Sequence, residues 1–279
     1  MSRVAIVRGT DPPDMTVRAL GMVDAAEVVP ADKPVLIKPN YINASHPSTG
    51  ITTDARVIEG VVAFLKKHHV KEIIIGEGAG EADTLDAFKV AGVDEVARRL
   101  RARIVDLNKD EFVEVHPPNA RTLKKVKIAR TALENTIISV PKLKPHRQAG
   151  ATLSLKNMMG AMTPKGSMHG HLNQNIVDLA SVIRPSMAVI DGIIAGEGHE
   201  TSGNPVEMNL VIAGTDPVAV DAVGATVMGI SIEYVKHLRL AEECGLGTCH
   251  LERIQVLGEP IEKVQRKFKT SFMTKLARM

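Results

Sequence analysis

The sequence contains no tryptophan, two tyrosines and five phenylalanines. That is too few rings for the stacking platforms on which single-stranded nucleic acids are held. The formal net charge is only +3, and most of the excess lies near the C-terminus in Lys263, Arg266, Lys267, Lys269, Lys275 and Arg278. The body is therefore nearly neutral, and nucleic acid is not an expected partner. The two cysteines, Cys244 and Cys249, are too few for a disulfide framework or a complete four-thiolate cluster. Two free thiols are the plain reading; a zinc or cluster shared across a dimer, with His250 adjacent, is the alternative. No hydrophobic run approaches the ~18 residues of a membrane span, and MSRVAIVRG enters a strand without a signal-peptide pattern. A cytoplasmic protein is expected. The Walker spacing, the G-x-S-x-G elbow and H-E-x-x-H are all missing.

What the chain does have is an ordinary globular composition, 44% hydrophobic and 24% charged over 279 residues, enough for one large domain or two lobes. Short β-branched runs at 3–7, 34–38, 72–75 and 103–107 alternate with helical periodicity, as at Val57, Val61, Phe64 and Leu65. The pattern resumes with strands at 136–140, 187–190, 210–213 and 253–257 and helices over 173–183, 217–227 and 232–243. Such alternation predicts a Rossmann-like α/β fold, a mostly parallel sheet with flanking helices. FVEVHPP and LKKVKIAR predict a small antiparallel excursion. The expected organisation is a single α/β domain, in two lobes at about 1–110 and 136–260, with 111–135 as the antiparallel insert and 261–279 as a basic tail. In that tail Phe268, Phe272, Leu276 and Met279 share one side of an amphipathic helix.

Chemistry-bearing residues concentrate after the strand at 137–140, in Lys144-Pro145-His146, Ser154-Leu155-Lys156-Asn157 and His169-Gly170-His171. They leave the carboxyl end of a strand, where open α/β sheets place ligands. Histidine titrates near neutrality, and a buried lysine is depressed towards it, so His146 and Lys156 suit proton transfer. His169 and His171 share a face if their segment is extended, which suits metal ligation or a phosphate contact. Lys38 and Asn40 leave the apolar run PVLIK, and a charge there needs a partner; Thr52 and Thr53 add hydroxyls, with Thr53 or Asp54 equally suited to capping a helix. Asp191 reads as the end of a strand, and DGIIAGEGHETSGNP as a mobile loop in which Asp191 and Glu197 supply carboxylates near Lys156 and His146. Asp216 is expected to cap a helix, and Asp221 to face the site or solvent. GEGAG at 76–80 lacks the dinucleotide spacing and is read as a Gly-rich turn or general anion loop.

IKPNY, the Thr-Thr-Asp helix start, KPHRQAGATLSLKNMMGAM, DGIIAGEG and AGTDPVAVDAVGATVMG together resemble the domain-of-unknown-function family 362 over nearly the whole chain. Members of that family often carry a ferredoxin module with C-x-x-C-x-x-C ligands, which this chain lacks; the resemblance implies a redox association through a separate ferredoxin-type partner. The order His146, Lys156, then His169 or His171 also resembles that of lactate racemase and its nickel-pincer relatives. That likeness implies Lys156 as the cofactor-anchoring or substrate-binding amine and His146 and His171 as acid/base groups or ligands of a metal or nickel-type cofactor. SLKNMMG stands where those enzymes have a Gly-Gly-Lys turn.

The functional expectation is an enzyme acting on a small carboxylate or phosphate by Lys/His proton transfer or isomerisation, with or without a metal. Its catalytic residues are His146, Lys156, His171 and Asp191, its substrate-binding residues Lys38, Asn40, Thr52 and Asn157, and its metal ligands His146 and His171. A non-catalytic redox or cofactor-delivery accessory protein is the alternative. A homo-oligomer is expected.

Overall fold

Alternate residues of the apolar runs face opposite ways, so the central strands bury both faces. In Ser2–Arg8 (β1), Ala5 and Val7 join one core and Val4 and Ile6 another. A strand buried on both faces reads as a continuous apolar run and requires helices above and below it. The computed structural model, which describes residues 1–30 and 33–271, has this arrangement. The strands after β1 are Val35–Pro39 (β2), Ile73–Glu77 (β3), Arg103–Asp106 (β4), Phe112–Val115 (β5), Val126–Ala129 (β6) and Thr136–Val140 (β7). They continue with Lys144–His146 (β8), Gly150–Thr152 (β9), Met162–Thr163 (β10), Met187–Glu197 (β11), Asn204–Gly214 (β12) and Ile254–Gly258 (β13). The helices are Pro12–Met22 (α1), Ala55–Lys67 (α2), Thr84–Ala91 (α3), Val93–Leu100 (α4), Arg130–Glu134 (α5), Ser154–Asn157 (α6), Leu172–Ala180 (α7), Pro217–Val227 (α8), Lys236–Glu243 (α9) and Ile261–Val264 (α10).

Eight strands form the main sheet in the order β13-β1-β12-β11-β7-β2-β3-β4. All neighbours pair in parallel except β12, which is antiparallel to β1 and β11. Residues of α1 to α4 cover one face, and residues of α6 to α9 cover the other. The stretches 1–110 and 136–260 both contribute strands to this single sheet. The antiparallel excursion is present as β10-β6-β5.

The topology fixes where a site forms. From β2 the chain steps outward through β3 and β4, and β7 then returns to the other side of β2. The gap past the carboxyl ends of β2 and β7 is thus a switch point, the place where open α/β sheets bind ligands.

Two expectations are corrected. Asp191 does not end its strand: β11 runs on to Glu197 through an irregularity between Gly192 and Ile194, and much of the expected loop is a β11–β12 hairpin. Ile193 and Ala195 remain buried there, so apolar burial outweighs the glycines. The tail also differs, since Phe268 is buried and follows an extended stretch rather than sitting on a helix; Phe272, Leu276 and Met279 lie outside the described residues. Lys269 clasps the hairpin tip, its carbonyl accepting from Gly198 N at 2.7 Å and its own N donating to Glu197 Oε2 at 3.1 Å.

Candidate functional site

Four lysines are drawn towards this switch point, each treated differently. Lys142 is paired with Asp191 at 2.6 Å. Lys38 donates to Glu77 Oε1 at 2.5 Å, to the Pro39 carbonyl at 2.8 Å and to Asn157 Oδ1 at 3.1 Å, which uses all three of its protons. Lys144 donates to the carbonyls of Ile51 at 2.8 Å and Glu200 at 3.0 Å. Lys156, half-buried, makes no hydrogen bond or ion pair among the described residues. Burial lowers its amine to about 8, with Lys38 adding to the effect against the pull of Glu200. Lys144 is brought to about 7 by burial, Lys156 and Lys142.

These side chains, apart from Lys142, surround a cavity of about 330 Å³ that Asn40, Glu77, His146, Thr152, Asn157, Lys165, His169 and Glu200 also line. The volume suits a small metabolite. Its charges are mostly cancelled in pairs, Lys38 with Glu77 and Arg147 with Glu200 at 3.2 Å. Lys144, Lys156 and Lys165 then outweigh the exposed Glu81. The cavity favours an anion.

Local sequence explains the placement. Asp221 of α8 accepts from Ser154 N at 2.7 Å and Leu155 N at 3.0 Å, holding the start of the short helix that carries Lys156. Burial pushes its carboxyl up to about 7. Asp221 thus faces neither cavity nor solvent; Asp216 caps α8 as expected. Gly160 lies against the Lys38–Glu77 pair, where a Cβ would fall 2.7 Å from Lys38 Nζ and closer still to Glu77 Oε1. Gly78 has the same constraint against the Gly160 carbonyl. The GEGAG turn therefore needs glycine, at least at Gly78, for close approach.

His146 Nδ1 accepts from the backbone N–H groups of Gln148 and Ala149, both at 3.2 Å. The ring proton is thereby assigned to Nε2, 3.6 Å from Glu200 Oε1. Burial, with Lys156 and Lys144, lowers the imidazole to about 2. With Nδ1 occupied by these two backbone groups, His146 presents its Nε2–H as a donor.

The structure brings Lys38, Asn40, His146, Lys156 and Asn157 to the cavity. It does not bring Thr52, Asp191 or His171. Thr52 Oγ1 is committed to the Ser45 carbonyl at 2.8 Å. Asp191 is wholly buried, accepting from Lys142, Asp54 N and Ile193 N. His171 is exposed at the end of the 3₁₀ turn Lys165–His171. At about 120° per residue such a turn puts His169 and His171 on different sides, so His169 reaches the cavity and the expected His146–His171 metal pair is not assembled. Among the described residues, no group of three or more His, Cys, Asp or Glu side chains is disposed to hold a metal ion. Glu77, Lys144, Thr152, Lys165 and Glu200 line the cavity but were not among the expected site residues; Glu197, chosen instead of Glu200, is turned towards Lys269.

A family model described as a domain of unknown function, DUF362, matches residues 35–226, more than half of the sequence and every cavity residue named above. The chain belongs to this family. It is also similar to the thylakoid-associated protein sll1697 of Synechocystis sp. (strain ATCC 27184 / PCC 6803 / Kazusa), at 24% identity over 253 residues, covering 87% of this chain and 77% of that protein. No solved structure matches. Among the described residues, no helix is long and apolar enough to cross a membrane.

Proposed function

We propose that this DUF362 protein binds a small carboxylate or phosphate in the switch-point cavity and moves a proton on it through Lys156. The observation that carries this reading is the amine of Lys156: it lies at the cavity without a hydrogen bond or ion pair among the described residues, while the neighbouring lysines are committed. At about 8 its protonated and free forms coexist near neutral pH, the condition for an efficient acid/base group. As an ammonium it attracts the anion; as a free amine it accepts a proton from a carbon next to the anionic group. Returning that proton to the same substrate gives an isomerisation with no net redox change. The Nε2–H of His146 offers a fixed neutral donor to an oxygen that gains charge in the process.

The test is solvent exchange. Small carboxylates and phosphates are incubated with the protein in D2O, and loss of their C–H signals is followed by proton NMR. Wild type is expected to exchange at least one of them, and Lys156→Met none. Because an unpaired polar side chain contributes little to the core, the variant should melt within a few degrees of wild type. Severe destabilisation with exchange intact would make Lys156 structural and overturn the proposal.

A further inference from the structure

The orientation of one amide defines what else the ligand must carry. Lys38 Nζ can only donate, so the atom of Asn157 facing it is Oδ1, and Asn157 Nδ2 correspondingly donates to the Lys38 carbonyl at 2.9 Å and to Ser139 Oγ at 3.1 Å. Asn157 Oδ1 also faces the amide of Asn40 at 3.2 Å, which must therefore present Nδ2. The far oxygen, Asn40 Oδ1, is left buried without a partner, on a residue that lines the cavity. It can only accept. A carboxylate or phosphate oxygen cannot satisfy it unless protonated. Among the described residues, a second unpartnered atom on a lining residue is Thr152 Oγ1, on a residue only 5% exposed.

We propose that the ligand carries a hydroxyl beside its anionic group, the hydroxyl donating to Asn40 Oδ1 while the anion meets Lys156 and the Thr152 hydroxyl. This inference rests on the anion-binding reading above. A hydroxyl fits better than an ammonium because Lys144, Lys156 and Lys165 already leave the cavity with an excess of cations, and a further positive charge is repelled. Buried polar groups built to meet a substrate hydroxyl discriminate strongly against an analogue that lacks it.

Matched pairs test this by isothermal titration calorimetry: glycerol 3-phosphate against propyl phosphate, and glycerate against propionate, with inorganic phosphate and acetate as bare anions. In whichever pair binds, the hydroxylated member is expected to bind at least about tenfold tighter, and the pair itself reports whether the anion is a phosphate or a carboxylate. Asn40→Leu should bring the ratio within a pair close to one. Equal affinities in the wild-type protein would overturn the hydroxyl inference and leave the anion site standing. Binding by no member of either pair and by neither bare anion would overturn both. A preference that survives in Asn40→Leu would overturn the assignment to Asn40. The wild-type comparison needs no variant, so the inference stays exposed even if Asn40→Leu fails to fold.

Discussion

Lys142 and Asp191 form an ion pair at 2.6 Å in which neither side chain reaches solvent. The carboxylate also accepts from the backbone of Asp54 at 2.7 Å and of Ile193 at 2.9 Å, so it joins the start of α2 to the middle of β11. Burial raises its pKa against the pull of Lys142.

Removing one member of this pair leaves the other buried without compensation. Lys142→Met should destabilise the protein by about 3–5 kcal/mol, as such losses typically do. A large share of that loss should return in the double variant Lys142→Met/Asp191→Leu. Urea unfolding of the three proteins checks the expectation, and additive losses would show that the two groups do not act as a pair.

Stability should rise with pH above neutrality. Lys144 and Lys156 release their protons at about 7 and about 8 in the folded protein, against 10.5 ordinarily. Between those values the unfolded chain binds more protons than the folded one, so raising the pH favours folding. The window runs from about 7 to about 10. Lys156→Met should flatten the slope there, read from urea midpoints at successive pH values, because it removes one of the two groups.

The cysteines should differ sharply in reactivity. Cys249 is buried and its thiol donates to Glu242 Oε2 at 3.2 Å; burial, reinforced by that carboxylate, pushes it up to about 12. Cys244 is exposed. A thiol reagent at pH 8 is expected to modify Cys244 quickly and Cys249 only on unfolding, with mass spectrometry reporting the sites. Fast modification of both would contradict the buried Cys249–Glu242 contact.

Several features were legible because they sit where chain pattern and topology agree. Lys38 and Asn40 follow a short apolar strand, and His146, Lys156 and Asn157 follow another; the two strands flank the switch point. Glu77 was concealed by its glycines, which allow close approach to neighbouring side chains and backbone. Glu200 was missed because Asp191 seemed to finish its strand. The parity of Ile193 and Ala195, both buried, was the available signal that β11 continues and carries its polar residues further out. His171 was favoured on the premise of an extended chain, whereas the segment coils and presents His169. The pairing of Lys142 with Asp191 joins residues 49 positions apart, a relation that no local pattern encodes.

The clasp of Lys269 on Glu197 and Gly198 ties the last described residues to the hairpin tip that carries Glu200. Anything fused beyond Thr270 would therefore tug on the rim of the cavity. A tag on the N-terminal side of β1 would hang from a strand four places from β2, with β12, β11 and β7 between them, leaving that rim undisturbed.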